Sequence, residues 1–371
     1  MQTAVPPTDS LVLASVHNGI ATLTLNRPKA LNALNLEMVQ ALYTALTAWA
    51  NDSAVMAVIL RSSSPKALCA GGDIRYFHAT AKAGQLAELD DFFAQEYALN
   101  HLMAHYPKPY IAIMQGVVMG GGMGISATAR LRIVTTDSKL AMPETKIGLF
   151  PDVGGTHFLS RLDGELGVYV GLTGTVLDAA SARFAGLADA YCPDEAIDTV
   201  LTALHRQRFT DGQAVLHHLR TACAAHAGAA SPRNSALAAH KPWIDAHFTG
   251  DDWLAIAAKL HATATAHGQN PDLNSDHSKA AAWARACLAG LEHCSPLMLH
   301  VTLKAIRAAH SLDLAQALAA ERSLMRRCFA QGEPIEGIRA LAVDKDHAPR
   351  WTHAHWNNVP PADVAALFAP T

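Results

Sequence analysis

The chain has 371 residues, half of them hydrophobic and 16% charged. That excludes a disordered protein and suits a globular core, as one large domain or two modest ones. A formal net charge of -3 gives no electrostatic case for nucleic acid or an anionic membrane as partner.

No stretch approaches the ~20 apolar residues of a membrane span. The start, Met1 to Pro7, lacks the charged and apolar regions of a signal peptide and the Arg-rich character of a presequence. The expected location is therefore the cytoplasm. Six scattered cysteines with no CxxC pair (Cys69, Cys192, Cys223, Cys287, Cys294, Cys328) read as reduced, mostly buried thiols. Twenty histidines invite a metal, but no HExxH or other close ligand set appears, so no metal site is expected.

In chain order, Leu11–Val16 and Ile20–Leu25 flank Asn18-Gly19 and predict a β-hairpin. Met38, Leu42, Leu46 and Trp49 recur at helical spacing over 35–50, with Asn35 as N-cap. Val55–Leu60 and Tyr110–Met114 read as short buried strands, with a helix over about 86–105 between them. A glycine-rich turn at 115–122 feeds a helix expected to run to Ala129. Further strands are expected at Arg132–Thr136 and Leu140–Met142. The first half is thus α/β.

Beyond about residue 195 strand-like runs nearly vanish. Ala- and Leu-rich stretches at 212–228, 252–266 and 279–291 predict helices, separated by loops at 231–235 and 268–272. A last helical block is expected from Pro296 to Gln331. This divides the chain into an α/β core, 1–205, and a helical C-terminal region, 206–371, packing on it.

Two segments stand out chemically. Ala70-Gly71-Gly72-Asp73 follows a strand-like run, and two glycines there permit close approach of the backbone to a ligand. Met119-Gly120-Gly121-Gly122 joins a buried strand to a helix, where N–H groups at the helix start lack intrahelical acceptors. Taken singly, the first also reads as a tight loop with an Asp cap, and the second as close helix–strand packing. The spacing is neither GxGxxG nor GxxxxGK[ST], so a dinucleotide or nucleoside triphosphate site fits poorly. Two such turns together suggest paired backbone donors aimed at one oxygen, suited to an enolate or a tetrahedral oxyanion from a thioester.

Leu25-Asn26-Arg27-Pro28-Lys29-Ala30-Leu31-Asn32-Ala33-Leu34, Ala70-Gly71-Gly72-Asp73-Ile74 and Gly120-Gly121-Gly122 resemble, in order, motifs of the enoyl-CoA hydratase/isomerase (crotonase) superfamily. The resemblance implies a crotonase-like ββα spiral core with a helical C-terminal region. It also implies an acyl-CoA substrate and an oxyanion hole formed by the Gly72 and Gly121 N–H groups. CoA contacts are implied at Lys29, Ala30, Gly71, Asp73 and Ile74. No cofactor is implied, because CoA is part of the substrate.

Met142 to Gly155 and Glu333 to Ala340 with Asp344-Lys345-Asp346 further resemble the 3-hydroxyisobutyryl-CoA hydrolases of that superfamily. This implies Glu144 as the main catalytic carboxylate, Asp152 as its partner and Glu96 as an additional active-site acid. Hydratases of the family carry a second catalytic Glu two residues after the glycine run. Here that position is Gly124, with no side chain to position water.

The expected function is therefore hydrolysis of a short-chain 3-hydroxyacyl-CoA, 3-hydroxyisobutyryl-CoA first, as in valine catabolism. The alternatives are an enoyl-CoA isomerase or hydratase, and a non-catalytic acyl-CoA binding protein. A monomer or small homo-oligomer is expected, with no nucleic-acid or membrane partner.

Overall fold

The computed structural model describes residues 10–266 and 275–369. The chain forms two compact units from alternating segments. The first comprises Met1–Asp73, Asp91–Ala141 and Val176–Ala239; the second comprises Ile74–Asp90, Met142–Thr175 and His240–Thr371.

The first unit carries the strands. β1 (Val12–His17) and β2 (Ile20–Leu25) form the expected antiparallel hairpin. Asn18 and Gly19 take φ of 50° and 80°, the left-handed values a two-residue turn requires. β3 (Ala57–Ser62), β4 (Ala67–Cys69), β5 (Tyr110–Met114), β6 (Val117–Met119), β7 (Leu131–Val134), β8 (Lys139–Ala141) and β9 (Ala190–Tyr191) follow. They make a six-stranded sheet, ordered β1-β2-β3-β5-β7-β9, and a three-stranded sheet, β4-β6-β8. Every pairing after the hairpin is parallel.

One face of the large sheet, with Ile59, Ile111, Ile113 and Ile133, packs on Ile197, Leu201 and Leu204 of the helix Asp194–Arg206. Val215, Leu216 and Leu219 of the helix Gly212–Ala224 complete that layer. Burial on both faces explains why β5 reads as an unbroken apolar run.

The helix Leu36–Ala50 begins as expected, the Asn35 side chain accepting from Met38 N at 3.0 Å. The helix Leu86–Ala104 also matches its expected span. Other bounds differ. β3 begins two residues later than expected, because Val55 N closes a turn on Asp52 O. β7 ends at Val134, because the Ser138 hydroxyl accepts from Thr135 N and turns the chain.

The helix expected to reach Ala129 lasts only Gly121–Gly124. Glycine is a weak helix former, and beyond it the chain continues in turns. The strand-like run before Ala70 is β4, while β6 and β9 are too short to show an alternation in sequence.

The second unit is helical. Pro296–Ala309 is buried over most of its surface and packs on Leu166–Thr173. The expected single block over 296–331 is two helices, Pro296–Ala309 and Leu314–Gln331, the second opened by a capping box of Asp313 and Gln316. Trp253–Thr265 and Asp276–Leu291 pack against each other. The loop expected at 268–272 lies outside the described residues. No helix among those described is long and apolar enough to cross a membrane.

One buried side chain ties the loop after β2 to the strand ends. Asn32, fully buried at φ 55°, donates to Ser62 Oγ at 2.8 Å, Ala67 O at 3.1 Å and Leu68 O at 3.0 Å. Its Oδ1 accepts from Arg27 N at 2.8 Å. Asn32→Ala removes these four hydrogen bonds from buried or part-buried backbone groups and Ser62, and places Ala in a left-handed conformation. Denaturant unfolding should show a loss of about 3 kcal/mol. Asn32→Asp, which tolerates the backbone but lacks the donors, should lose a similar amount.

Candidate functional site

In the first unit, β4 and β6 are paired neighbours, so the chain segments leaving them run side by side. Those segments are the two glycine turns. A Cβ on Gly71 (φ 114°) would lie 3.4 Å from Met119 O and 3.8 Å from Gly121 N. A Cβ on Gly122 would lie 2.2 Å from Cys69 O, which no side chain allows. Close backbone approach requires glycine at 122.

The loop after β2 lies along the first turn. Leu34 N donates to Gly71 O at 2.8 Å and Asp73 N to Leu34 O at 2.9 Å. This bridge uses the groups on either side of Gly72 and leaves its own N–H pointing elsewhere. Gly121 is the first residue of its helical turn, where an N–H has no intrahelical acceptor. Neither N–H bonds a backbone acceptor among the described residues.

Glu96 lies against the same turn. It is 2% exposed, and a Cβ on Gly121 would come 2.8 Å from its Oε1. Cys69, the thiol beside these turns, is no nucleophile at neutral pH, since burial pushes it up to about 12.

Lys29 and Ala30 sit on a 3-10 turn, Pro28–Ala30, with Lys29 exposed. Asp73 pairs with Arg27 at 2.8 Å, fixing that loop to the glycine turn. Sequence reading did not single out Arg27 for this. Ile74 opens the helix Ile74–Lys82 of the second unit.

The second unit gathers the acids. Glu144 begins a 3-10 turn, Glu144–Ile147, and is 6% exposed. The turn is held from several sides. Thr145 Oγ1 donates to Leu172 O at 3.1 Å, and Ser295 N donates to Thr145 O at 2.8 Å. Glu144 Oε2 has no hydrogen-bond partner among the described residues. Burial raises the Glu144 carboxyl well above the usual carboxylate range, and the charges of Asp152 and Glu321 add to the rise. Asp152, 7% exposed, is followed by Val153 at φ 55° and Gly154 at φ 82°.

Glu321, which sequence reading missed, completes this cluster from the helix Leu314–Gln331. It is 2% exposed and accepts from Gly154 N at 2.7 Å, Thr156 N at 3.0 Å and the Thr156 hydroxyl. Burial pushes its carboxyl up to about 8; the donors oppose the rise and Asp152 adds to it. A signal was present: Leu314, Ala317, Leu318, Glu321, Leu324, Met325 and Cys328 form one buried stripe. A Glu on an apolar stripe marks a carboxylate with a buried task. No group of three His, Cys, Asp or Glu among the described residues is placed to hold a metal ion.

The structure thus brings Gly71, Gly72, Gly121 and Glu96 together in one unit, and Glu144, Asp152 and Glu321 in the other. The model of the enoyl-CoA hydratase/isomerase family matches residues 20–368. The chain belongs to the enoyl-CoA hydratase/isomerase family.

Within this family the chain is 36% identical over 330 residues to the mitochondrial 3-hydroxyisobutyryl-CoA hydrolase of Xenopus tropicalis, covering 89% of this chain and 81% of that protein. To the human protein of the same name it is 34% identical over 350 residues, covering 93% and 85%. A carnitinyl-CoA dehydratase structure from Mycobacterium thermoresistibile superposes with a TM-score of 0.84 at 38% identity, covering 98% of this chain and 97% of that one. An enoyl-CoA hydratase structure from Rhodobacter sphaeroides gives 0.82 at 37% identity, covering 97% and 98%. The crotonase fold expected from the motifs, with its helical C-terminal region, is therefore the fold of this family member.

The raised carboxyls carry a stability consequence. Between about pH 4.5 and about 8 the folded chain holds a proton on Glu321 that the unfolded chain releases, so stability falls as pH rises through that window. Glu321→Gln removes this component. Relative to wild type, the variant should gain stability with rising pH by at most about 1.4 kcal/mol per unit, checked by urea unfolding at pH 5, 6, 7 and 8. A pH-independent difference would contradict the raised ionisation.

Proposed function

We propose that this family member hydrolyses short-chain 3-hydroxyacyl-CoA thioesters, with 3-hydroxyisobutyryl-CoA as the first candidate and valine catabolism as its setting. The carrying observation is the pairing of acids. Glu144 is a buried carboxylate coupled to Asp152, while Gly124, at the position of the second hydratase Glu, has no side chain. The curated relatives named as hydrolases support the same reading.

In this reading the N–H groups of Gly72 and Gly121 form the oxyanion hole for the thioester carbonyl. Lys29, Ala30, Gly71, Asp73 and Ile74 contact CoA, and Glu96 lines the acyl end. Glu144, its basicity raised by burial, takes a proton from water as the water oxygen attacks the carbonyl carbon. The tetrahedral oxyanion is stabilised by the two N–H donors. It collapses with cleavage of the C–S bond, and the CoA sulfur takes up the proton held by Glu144. Attack by Glu144 itself, through a mixed anhydride, uses the same groups. Asp152 binds the substrate 3-hydroxyl or orients the water.

No cofactor enters this scheme, since CoA belongs to the substrate. Six buried free cysteines suit a reducing compartment such as the cytoplasm. A monomer or small homo-oligomer fits the large helical complement of the chain.

The deciding experiment is thiol release across short-chain 3-hydroxyacyl-CoAs, run beside hydration of crotonyl-CoA. Release of CoA from 3-hydroxyisobutyryl-CoA with negligible hydration is expected. Fast hydration without thiol release would sink the hydrolase reading, and would favour the enoyl-CoA hydratase activity named for one of the superposed structures. Glu144→Gln should abolish turnover while CoA affinity stays within about twofold, because the carboxylate acts on the reacting atoms. Gly121→Ala keeps the N–H but would bring a methyl 2.8 Å from Glu96 Oε1 beside the proposed donor. By shifting that donor or Glu96 it should lower kcat by about 10- to 100-fold.

A further inference from the structure

We propose that Glu321 is a positioning residue that acts through Asp152, holding the 152–156 turn in the one arrangement that aims the Asp152 carboxylate. The inference rests on the hydrolase reading for Asp152, but its geometry stands within the second unit alone.

The turn is intrinsically unfavourable. Val153, a β-branched residue, sits at φ 55°, where such side chains crowd the backbone. A conformation of this kind persists only where the surroundings over-determine it. Asp152 O accepts from Gly155 N at 2.6 Å, which closes the turn tightly around Val153. Val153 is itself buried, so solvent does nothing to relax it.

What over-determines the turn is one side chain. Glu321 Oε2 takes the Gly154 N–H, and Oε1 takes both the N–H and the hydroxyl of Thr156. The three donors lie within five residues of Asp152, and the acceptor stands about 165 residues away in the chain. A carboxyl is the group suited to this task. It presents two acceptor oxygens on the same planar end, and Gly154 and Thr156 present their donors to those two oxygens separately.

An amide would turn its NH2, which cannot accept, toward one of these donors and lose that bond, whereas a carboxyl keeps a lone pair on both oxygens even when it holds a proton. The short helix Gly155–Leu159 starts at this clamp, so the anchor fixes both the strained residue and the segment after it. Asp152 and Glu144 are the charged groups that couple to Glu321.

The test is a double-mutant cycle on thiol release with Asp152→Asn, Glu321→Gln and the pair. Glu321→Gln should lower kcat about 10- to 100-fold while KM stays within about twofold, as displacement of a reacting group does. In the Asp152→Asn background it should change kcat less than twofold, because the residue it positions is already lost. Equal losses in both backgrounds would assign Glu321 to general structure and overturn the proposal. Thr156→Val, which removes one of the three bonds with little change of shape, should give a smaller loss with the same dependence on Asp152.

If the wild-type chain releases no thiol, the hydrolase reading fails by itself. A crystal structure of Glu321→Gln then decides the positioning claim. Displacement of 152–156 supports it, and an unmoved turn overturns it.

Discussion

The close approach of two backbone turns governs the first unit. β4 and β6 are three-residue strands, and their parallel pairing places Gly71 beside Met119 and Gly121, and Gly122 against Cys69. Side chains at Gly122 would force these strands apart, so the pairing and the glycines are one constraint seen twice. Around it the loop of Arg27 to Leu34 adds further backbone bonds, with Asn32 buried as the tie. The outcome is a pair of N–H groups, of Gly72 and Gly121, that bond no backbone acceptor among the described residues, the feature on which the proposed oxyanion hole rests.

The second unit solves a different problem, that of keeping three carboxyl groups under cover. Glu144, Asp152 and Glu321 are all buried. Burial favours the protonated form, and each negative charge in the cluster resists the next. Glu321 meets three donors and is still raised to about 8. Glu144 Oε2 has no hydrogen-bond partner among the described residues. A buried carboxyl left so is costly to stability, which accords with the reacting role proposed for it.

Much of this was open to sequence reading for local reasons. The hairpin at Asn18-Gly19 is a two-residue signal, and the helix capped by Asn35 carries its own periodicity. The glycine turns and Glu144 with Asp152 lie within short motifs. What escaped was set at a distance or by very short elements. β6 and β9 take their identity from neighbours, since two or three residues carry no alternation. The helix after Gly120 stops at Gly124, where its own glycines hold it only weakly. Arg27 meets Asp73 across 46 positions, and no local pattern points from one to the other.

The sequence by itself determined the family, the glycine positions at which the backbone must approach closely, and the acids available for chemistry. Tertiary structure alone decided which groups share an environment. It put Glu96 against Gly121, emptied the surroundings of Glu144 of partners at Oε2, and brought Glu321 beneath a turn some 165 residues earlier. The physical reason is that motif spacing reports local backbone geometry, whereas burial and charge coupling depend on what packs from elsewhere in the chain.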